Sequence, residues 1–138
     1  PVFGASHADY DALRTLGANR VGIVTPFNAK VDAVVRANTE AAGFEVVAIK
    51  GTEAPSLPAI CETPLEDIRA VFAQVSASDC DVILQVGTAL PVVAMIAELE
   101  AAHGKPIVAC NAAVYWQTIR AVGITDSIPG FGQLLEAH

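Results

Sequence analysis

The residues of this chain that could do chemistry lie at strand-to-helix junctions, not in runs of acids, bases or nucleophiles. In Asp81-Val82-Ile83-Leu84-Gln85-Val86-Gly87-Thr88-Ala89-Leu90-Pro91 a buried-strand pattern breaks at Gly87-Thr88 and passes straight into an amphipathic helical pattern. The first N–H groups of a helix have no intrahelical acceptor, and the aligned peptide dipoles place partial positive charge there. A carboxylate or phosphate is held at such a point without a cationic side chain. Gly87 lets a ligand approach the backbone closely, and the Thr88 hydroxyl either caps the helix or bonds the ligand.

Thr25-Pro26-Phe27-Asn28 and Cys110-Asn111-Ala112 form two further junctions of this kind, and with Gly87-Thr88-Ala89 they contain no lysine, arginine, aspartate or glutamate. Amides, hydroxyls and helix N-termini suit a small dianionic carboxylate better than a cation or a metal. The candidate substrate-binding residues are Thr25, Phe27, Asn28, Gly87, Thr88, Ala89 and Asn111.

The remaining reactive side chains read as structural. Cys61, Cys80 and Cys110 are odd in number and match neither a disulfide framework nor a CxxC metal site, which places the chain in a reducing, cytoplasmic setting. Cys110 ends an apolar strand and is expected in the core. His7, His103 and His138 are too scattered for a metal cluster, and His103 is favoured by a helix C-terminal dipole. Tyr115 and Trp116 are read as core or interface packing. The formal net charge of −7 excludes nucleic acid and anionic membranes as natural partners. The most apolar window, Val82 to Leu99, is broken by Gln85, Gly87, Thr88, Pro91 and Glu98, so it is not a membrane span. No basic-then-apolar signal segment opens the chain.

The elements that must position these junctions follow from periodicity. Four nearly uniform apolar runs, Arg20 to Thr25, Phe44 to Ile49, Asp81 to Val86 and Pro106 to Cys110, predict strands covered on both faces. Helical stripes run through Val31, Val34 and Val35; Leu65, Ile68, Phe72 and Val75; Val92, Met95, Ile96 and Leu99; and Ala112, Tyr115, Ile119 and Val122. A further helix, about Ala5 to Leu16, precedes the first strand. Thr63-Pro64-Leu65-Glu66 predicts a helix start with Thr63 as cap, and Gly17, Gly43, Gly104 and Gly123 mark helix ends. Glu53 to Glu62 reads as the one long loop.

Alternation of strand and helix with right-handed crossovers predicts an open three-layer α/β sheet of four parallel strands in the order 2-1-3-4. Residues 1–138 form a single domain, with 1–17 a linking helix and 18–138 the α/β body. A receiver domain of this topology needs acids at the ends of the first and third strands, and Thr25-Pro26-Phe27 and Val86-Gly87-Thr88 supply none. A flavodoxin-like phosphate loop is a poor match, because no glycine follows the first strand.

Several stretches resemble, in order and spacing, the C-terminal half of the maleate isomerase and arylmalonate decarboxylase family within the aspartate/glutamate racemase superfamily. Ala12-Leu13-Arg14-Thr15-Leu16-Gly17-Ala18-Asn19-Arg20-Val21 resembles the link into the second half, and Thr25-Pro26-Phe27 the Thr-Pro-Tyr turn. Gly104-Lys105-Pro106-Ile107-Val108 with Asn111-Ala112 and Trp116 resembles the strand and helix after the second catalytic position. Gly130-Phe131-Gly132-Gln133-Leu134-Leu135 resembles the terminal Gly-Tyr-Gly-Arg-Leu motif. The resemblance implies the Rossmann-like half of the racemase fold and a cofactor-free site between two pseudo-symmetric halves. It also implies a small dicarboxylate substrate, association into oligomers, and packing against an N-terminal half not contained in this chain.

Two departures qualify what is implied. The family pattern Ser-Cys-Thr-Asn-Leu reads Val86-Gly87-Thr88-Ala89-Leu90, so the thiol position is glycine, and Phe27 replaces the tyrosine. A thiolate can add to an activated C=C for cis-trans isomerisation, or a thiol can protonate the enediolate left by CO2 loss. With Gly87 here, either thiol comes from the other half, this chain supplies carboxylate and oxyanion binding, and no catalytic residue is assigned within it. The alternative is a non-catalytic relative that binds small carboxylates.

Overall fold

The computed structural model describes residues 4–138. In chain order the elements are α1 (Ala5–Thr15), β1 (Arg20–Thr25), α2 (Ala29–Ala41), β2 (Glu45–Gly51), α3 (Leu57–Cys61), α4 (Leu65–Ser76), β3 (Val82–Gln85), a 3-10 turn (Val93–Met95), α5 (Ile96–His103), β4 (Ile107–Ala109), α6 (Cys110–Ala121) and α7 (Gln133–Ala137). The four strands form one parallel sheet in the order β2-β1-β3-β4, as the alternation of elements requires. All strand C-termini therefore share an edge, and the loops after Thr25, Gln85 and Ala109 converge there.

Helices cover both faces. Gly22 and Ile83 are register partners, whereas Leu84 belongs to the alternate face. On the Gly22 face α4 packs so closely that a Cβ on Gly22 would meet Val75 Cγ1 at 2.5 Å. On the Leu84 face α1 and α2 bring Tyr10 and Val35 beside Leu84 and Val86. Leu13, Ile23, Ile68, Phe72, Ile83, Leu84, Ile96, Leu99 and Ile107 are fully buried between these layers. Removing such surface from water at about 25 cal/mol per Å² is the main drive for the fold.

The helix punctuation follows the sequence with one change of mechanism. Gly17, Gly43, Gly104 and Gly123 all take positive φ at helix ends. Asn28 caps α2, its side chain accepting from the N–H groups of Lys30 and Val31. At α4 the N-cap is Pro64 without a side-chain bond. Thr63 turns its hydroxyl back to the carbonyls of Ala59 and Ile60, because the segment before it is already helical. The expected loop from Glu53 to Glu62 thus contains α3, capped by Ser56.

Element ends shift by one or two residues. The second strand is Glu45–Gly51, the third lacks Asp81 and Val86, and the fourth lacks Pro106 and Cys110. Cys110 is the first residue of α6 and does not end the strand. One difference bears on the site. The helix expected directly after Gly87-Thr88 begins only at Ile96, preceded by the 3-10 turn. Thr88 and Ala89 instead form a turn, with the Leu90 N–H on the Gly87 carbonyl, and the Val92 N–H returns to the Leu90 carbonyl; Leu90 and Val92 are both buried. Pro91 between them has no N–H to donate. The chain first crosses the sheet edge, burying Leu90 and Val92, and only then winds up through the Met95 N–H to Val92 carbonyl bond. The stripe of Val92, Met95, Ile96 and Leu99 is buried as its periodicity implies.

Candidate functional site

The loop after β3 is fastened from both neighbours. Gln85 Nε2 donates to the Gly87 carbonyl at 2.8 Å, and Asn111 Nδ2 donates to the Thr88 carbonyl at 2.9 Å. Gly87 has φ +108°, a conformation that favours glycine, and a Cβ there would lie 2.6 Å from Pro26 Cδ and 3.6 Å from Phe27 Cζ. Pro26, Phe27, Gly87, Thr88 and Asn111 are therefore brought together at the C-terminal edge.

The amides of Thr88 and Ala89 have no hydrogen-bond acceptor among the described residues. They are loop amides and not the first turn of a helix, so the helix-dipole contribution expected at Gly87-Thr88-Ala89 is absent there. The helix N-terminus at this edge is that of α6, which opens at Cys110 with Asn111 and Ala112 in its first turn. Consecutive free amides and a helix N-terminus are donor groups of the kind that hold anions.

Other predicted residues are occupied elsewhere. Thr25 is fully buried; its hydroxyl donates to Asp32 Oδ1 and accepts from the Phe27 N–H, shaping the turn from below. Burial raises the Asp32 carboxyl above its ordinary range, against the lowering effect of the Thr25 bond. Asn28 is exposed but its Oδ1 is engaged as the α2 cap. Phe27 is half-buried with its ring tip toward Gly87.

Three polar groups lie behind the loop: Gln85 and Asp9, to which the sequence assigned no role, and Cys110, buried as the sequence led one to expect. Gln85, 2% exposed, is a lone amide inside an apolar strand, and that isolation is its sequence signal. Cys110 is buried, and its sulfur lies 3.9 Å from Gln85 Oε1. Burial pushes its thiol up to about 11, Asp9 nearby adds to the rise, and the N–H groups of Gly87, Asn111 and Cys110 itself oppose it. A thiol so protonated is a poor nucleophile. Asp9, 4% exposed, has an Oδ1 without a hydrogen-bond partner, and burial pushes its carboxyl up to about 7. Its signal was spacing: Asp9 stands at i−3 and i−4 from Ala12 and Leu13 in the buried stripe of α1.

Beside Asn111 opens an apolar cavity of about 310 Å³ lined by Val93, Asn111, Ala112, Tyr115, Ile128, Phe131 and Leu135. Tyr115 and Phe131 are 53% and 40% exposed, so they line this opening more than they fill the core. A wider cleft of about 590 Å³ with Lys50, Glu53, Glu62 and Asp67 on its walls lies past β2 and contains none of the predicted site residues. No group of three or more potential metal ligands occurs among the described residues. No helix there is long and apolar enough to cross a membrane.

This fold and edge are those of the aspartate/glutamate racemase type. Residues 1–135 match the family model described as arylmalonate decarboxylase, and the chain belongs to that family. Its curated relatives include the maleate isomerase of Pseudomonas putida, 26% identical over 136 residues, covering 98% of this chain and 54% of the relative. The maleate isomerase of Nocardia farcinica is 25% identical, covering 97% and 54%. Among solved structures, Nocardia farcinica maleate cis-trans isomerase bound to TRIS superposes with a TM-score of 0.93 at 25% identity, covering 98% of this chain and 55% of that one. A cysteine-to-alanine variant of a Pseudomonas putida maleate isomerase with maleate gives 0.92 at 26% identity, with 98% and 54% covered. The chain spans about half the length of the curated relatives it matches.

Proposed function

We propose that this chain is the carboxylate-binding half of a cofactor-independent isomerase or decarboxylase acting on small dicarboxylates. The observation that carries the reading is the Gly87–Ala89 loop: two free amides, at Thr88 and Ala89, on a segment held rigid by Gln85 and Asn111. Preorganised N–H donors of this kind stabilise a carboxylate in the ground state and an enediolate as charge develops on it. The N-terminus of α6 supplies a second group of donors at Asn111-Ala112. A relative with maleate in its crystal supports the substrate class.

The thiol that either reaction needs is not on this edge, since position 87 is glycine and Cys110 is buried and protonated. It is supplied by a second half-domain packed over the loop. The apolar cavity beside Asn111 would take a hydrophobic substituent on the diacid, which favours a substituted malonate over bare maleate. Second copies of the chain associate through its exposed apolar side chains, Val122 and Ile124 among them.

The test is turnover of maleate and of an aryl-substituted malonate by a longer protein containing this sequence, beside the 138-residue chain alone. Activity in the longer protein and none in the isolated chain is the expected result. Binding of both diacids by the longer protein, with no turnover of either, would favour the second reading, a non-catalytic carboxylate-binding relative. That reading is motivated by Gly87 and Phe27, each of which lacks a reactive group.

A further inference from the structure

A buried acid stands behind the proposed anion loop without a counter-charge. Asp9 borders a small cavity of about 60 Å³ between α1, α2 and β3, and no lysine or arginine lines it. The titratable groups facing it are Tyr10 from α1 and Cys110 from α6; α2 presents Asn38 and Thr39, and β3 only apolar side chains. Asp9 Oδ1 has no partner, so an ionised Asp9 would be an uncompensated buried charge.

Asp9 shares a cavity wall with Val86, the residue before Gly87. It is near enough to Cys110 for its charge to raise the thiol, and the Gly87 N–H is near enough to the same sulfur to lower it. Gln85 closes the ring, contacting the sulfur through Oε1 and the Gly87 carbonyl through Nε2. The Gly87 carbonyl is thus held from inside by Gln85, whose Oε1 meets the Cys110 sulfur, and the charge of Asp9 acts on that sulfur.

We propose that Asp9 is a positioning residue for the anion site on the Gly87–Ala89 loop, acting on it through the Cys110 sulfur, and that the loop takes a dianion well only while Asp9 is a neutral acid. The proposal rests on the carboxylate-binding reading above. Its physical content is electrostatic. A negative charge on Asp9, buried on the cavity wall it shares with Val86, opposes a second negative charge on the loop that follows, in surroundings that screen weakly. Linkage makes the effect reciprocal: an anion on the loop holds the proton on Asp9 more tightly. Asp9 is neutral below its titration near 7, so affinity falls as pH rises through that range. The sign is opposite to that produced by ionising the ligand itself.

The experiment is amide NMR on the 138-residue chain and its Asp9→Asn variant, both carrying His7→Gln so that the neighbouring imidazole contributes nothing. Without ligand, the Gly87 amide resonance should move with a single midpoint near 7 and stay fixed in Asp9→Asn. Equal movement in both proteins would overturn the proposal, and so would a Gly87 resonance that shows no midpoint near 7 in the chain that keeps Asp9, a result that needs no folded Asp9 variant. Fumarate, whose carboxyls are both ionised from pH 6 to pH 8.5, is then titrated in at each end of that range. The Thr88 and Ala89 amides should report a dissociation constant about fivefold or more weaker at the higher pH in the native chain, and an unchanged one in Asp9→Asn. An equal loss of affinity in both would also overturn it. Absence of any fumarate shift at Thr88 and Ala89 at both pH values would sink the carboxylate-binding reading instead, and the ligand-free titration of Gly87 would still decide whether Asp9 acts on the loop.

Discussion

Pro26 occupies the space that a side chain on Gly87 would need: a Cβ there would lie 2.6 Å from Pro26 Cδ and 2.7 Å from Cγ. Gly87 also sits at φ +108°, where any other residue is strained. Glycine at position 87 is therefore matched by the geometry around it, since the turn after β1 fills the space a side chain would need. Gly87→Cys should not install a usable thiol but should destabilise the chain by about 2–4 kcal/mol, from backbone strain plus overpacking. Gly87→Ala should cost nearly as much, because the conflict begins at Cβ. Urea unfolding of both variants measures this; a neutral Gly87→Ala would show that the loop re-forms freely around Pro26.

Asp9 makes a pH-dependent contribution whose sign follows from its direction. Its folded value, about 7, lies above the ordinary 3.8, so the native state binds this proton more tightly than the unfolded chain does. The stabilisation is fully present below 3.8 and is lost as pH rises through 7. That interval corresponds to about 4 kcal/mol at most. Asp9→Asn should accordingly be more stable than the native chain at pH 8.5 by roughly 2–4 kcal/mol and about equal to it at pH 4. Thermal unfolding at the two pH values checks it, and a variant less stable than native at pH 8.5 would mean that the carboxylate has a partner in solution.

The sheet was legible because both-face burial leaves an unmistakable pattern: Val82-Ile83-Leu84 and Ile107-Val108-Ala109 contain no polar residue, and strand order follows from right-handed crossovers. The junctions were legible for the same reason, as each ends such a run. The path from Gly87 to Ile96 was not. The apolar stripe of α5 extends back through Val92 whether those residues are helical or in successive turns, and tertiary burial of Leu90, which periodicity does not show, accompanies the turns. Asp9 was hidden differently. An acid inside a helix reads as solvated by default, and its burial depends on α6 and α2 meeting α1, contacts far apart in sequence. Thr25 looked like a ligand group because its hydroxyl ends a strand; Asp32, seven residues on, claims it.

That claim is itself testable. Thr25→Val keeps the shape of the side chain but removes the hydroxyl that donates to Asp32 and accepts from Phe27. Leaving the buried Asp32 oxygen unpaired should cost about 1–3 kcal/mol. It should also raise the Asp32 carboxyl further, since the bond it loses is one that lowers it. Chemical denaturation and carboxyl NMR would show both effects together; a stable variant with an unmoved Asp32 would indicate that water replaces the hydroxyl.

Asn111 offers a cleaner separation of binding from folding, because it is exposed and its side chain reaches across to the Thr88 carbonyl. Asn111→Ala should cost about 0.5–1.5 kcal/mol of stability at most. Hydrogen exchange at Thr88, Ala89 and Leu90 should nonetheless accelerate, since the loop loses its tie to α6. Diacid binding should weaken with it. Exchange unchanged across these residues would show that Gln85 alone holds the loop.

Cys110 supplies the last prediction. Cys61 is exposed, whereas Cys80 and Cys110 are buried. Alkylation by iodoacetamide at pH 8 followed by peptide mass spectrometry should modify Cys61 first. Cys110 should react only on unfolding, because its thiol is both enclosed and held protonated, at about 11. In a longer, active protein containing this sequence, Cys110→Ser should then leave turnover within about tenfold. Loss of the thiol that does the chemistry costs about 10²–10⁴-fold when it acts as a general acid. A loss of that size in a folded Cys110→Ser protein, or rapid alkylation of Cys110 in the native chain, would move the reacting sulfur from the proposed second half-domain to the first residue of α6.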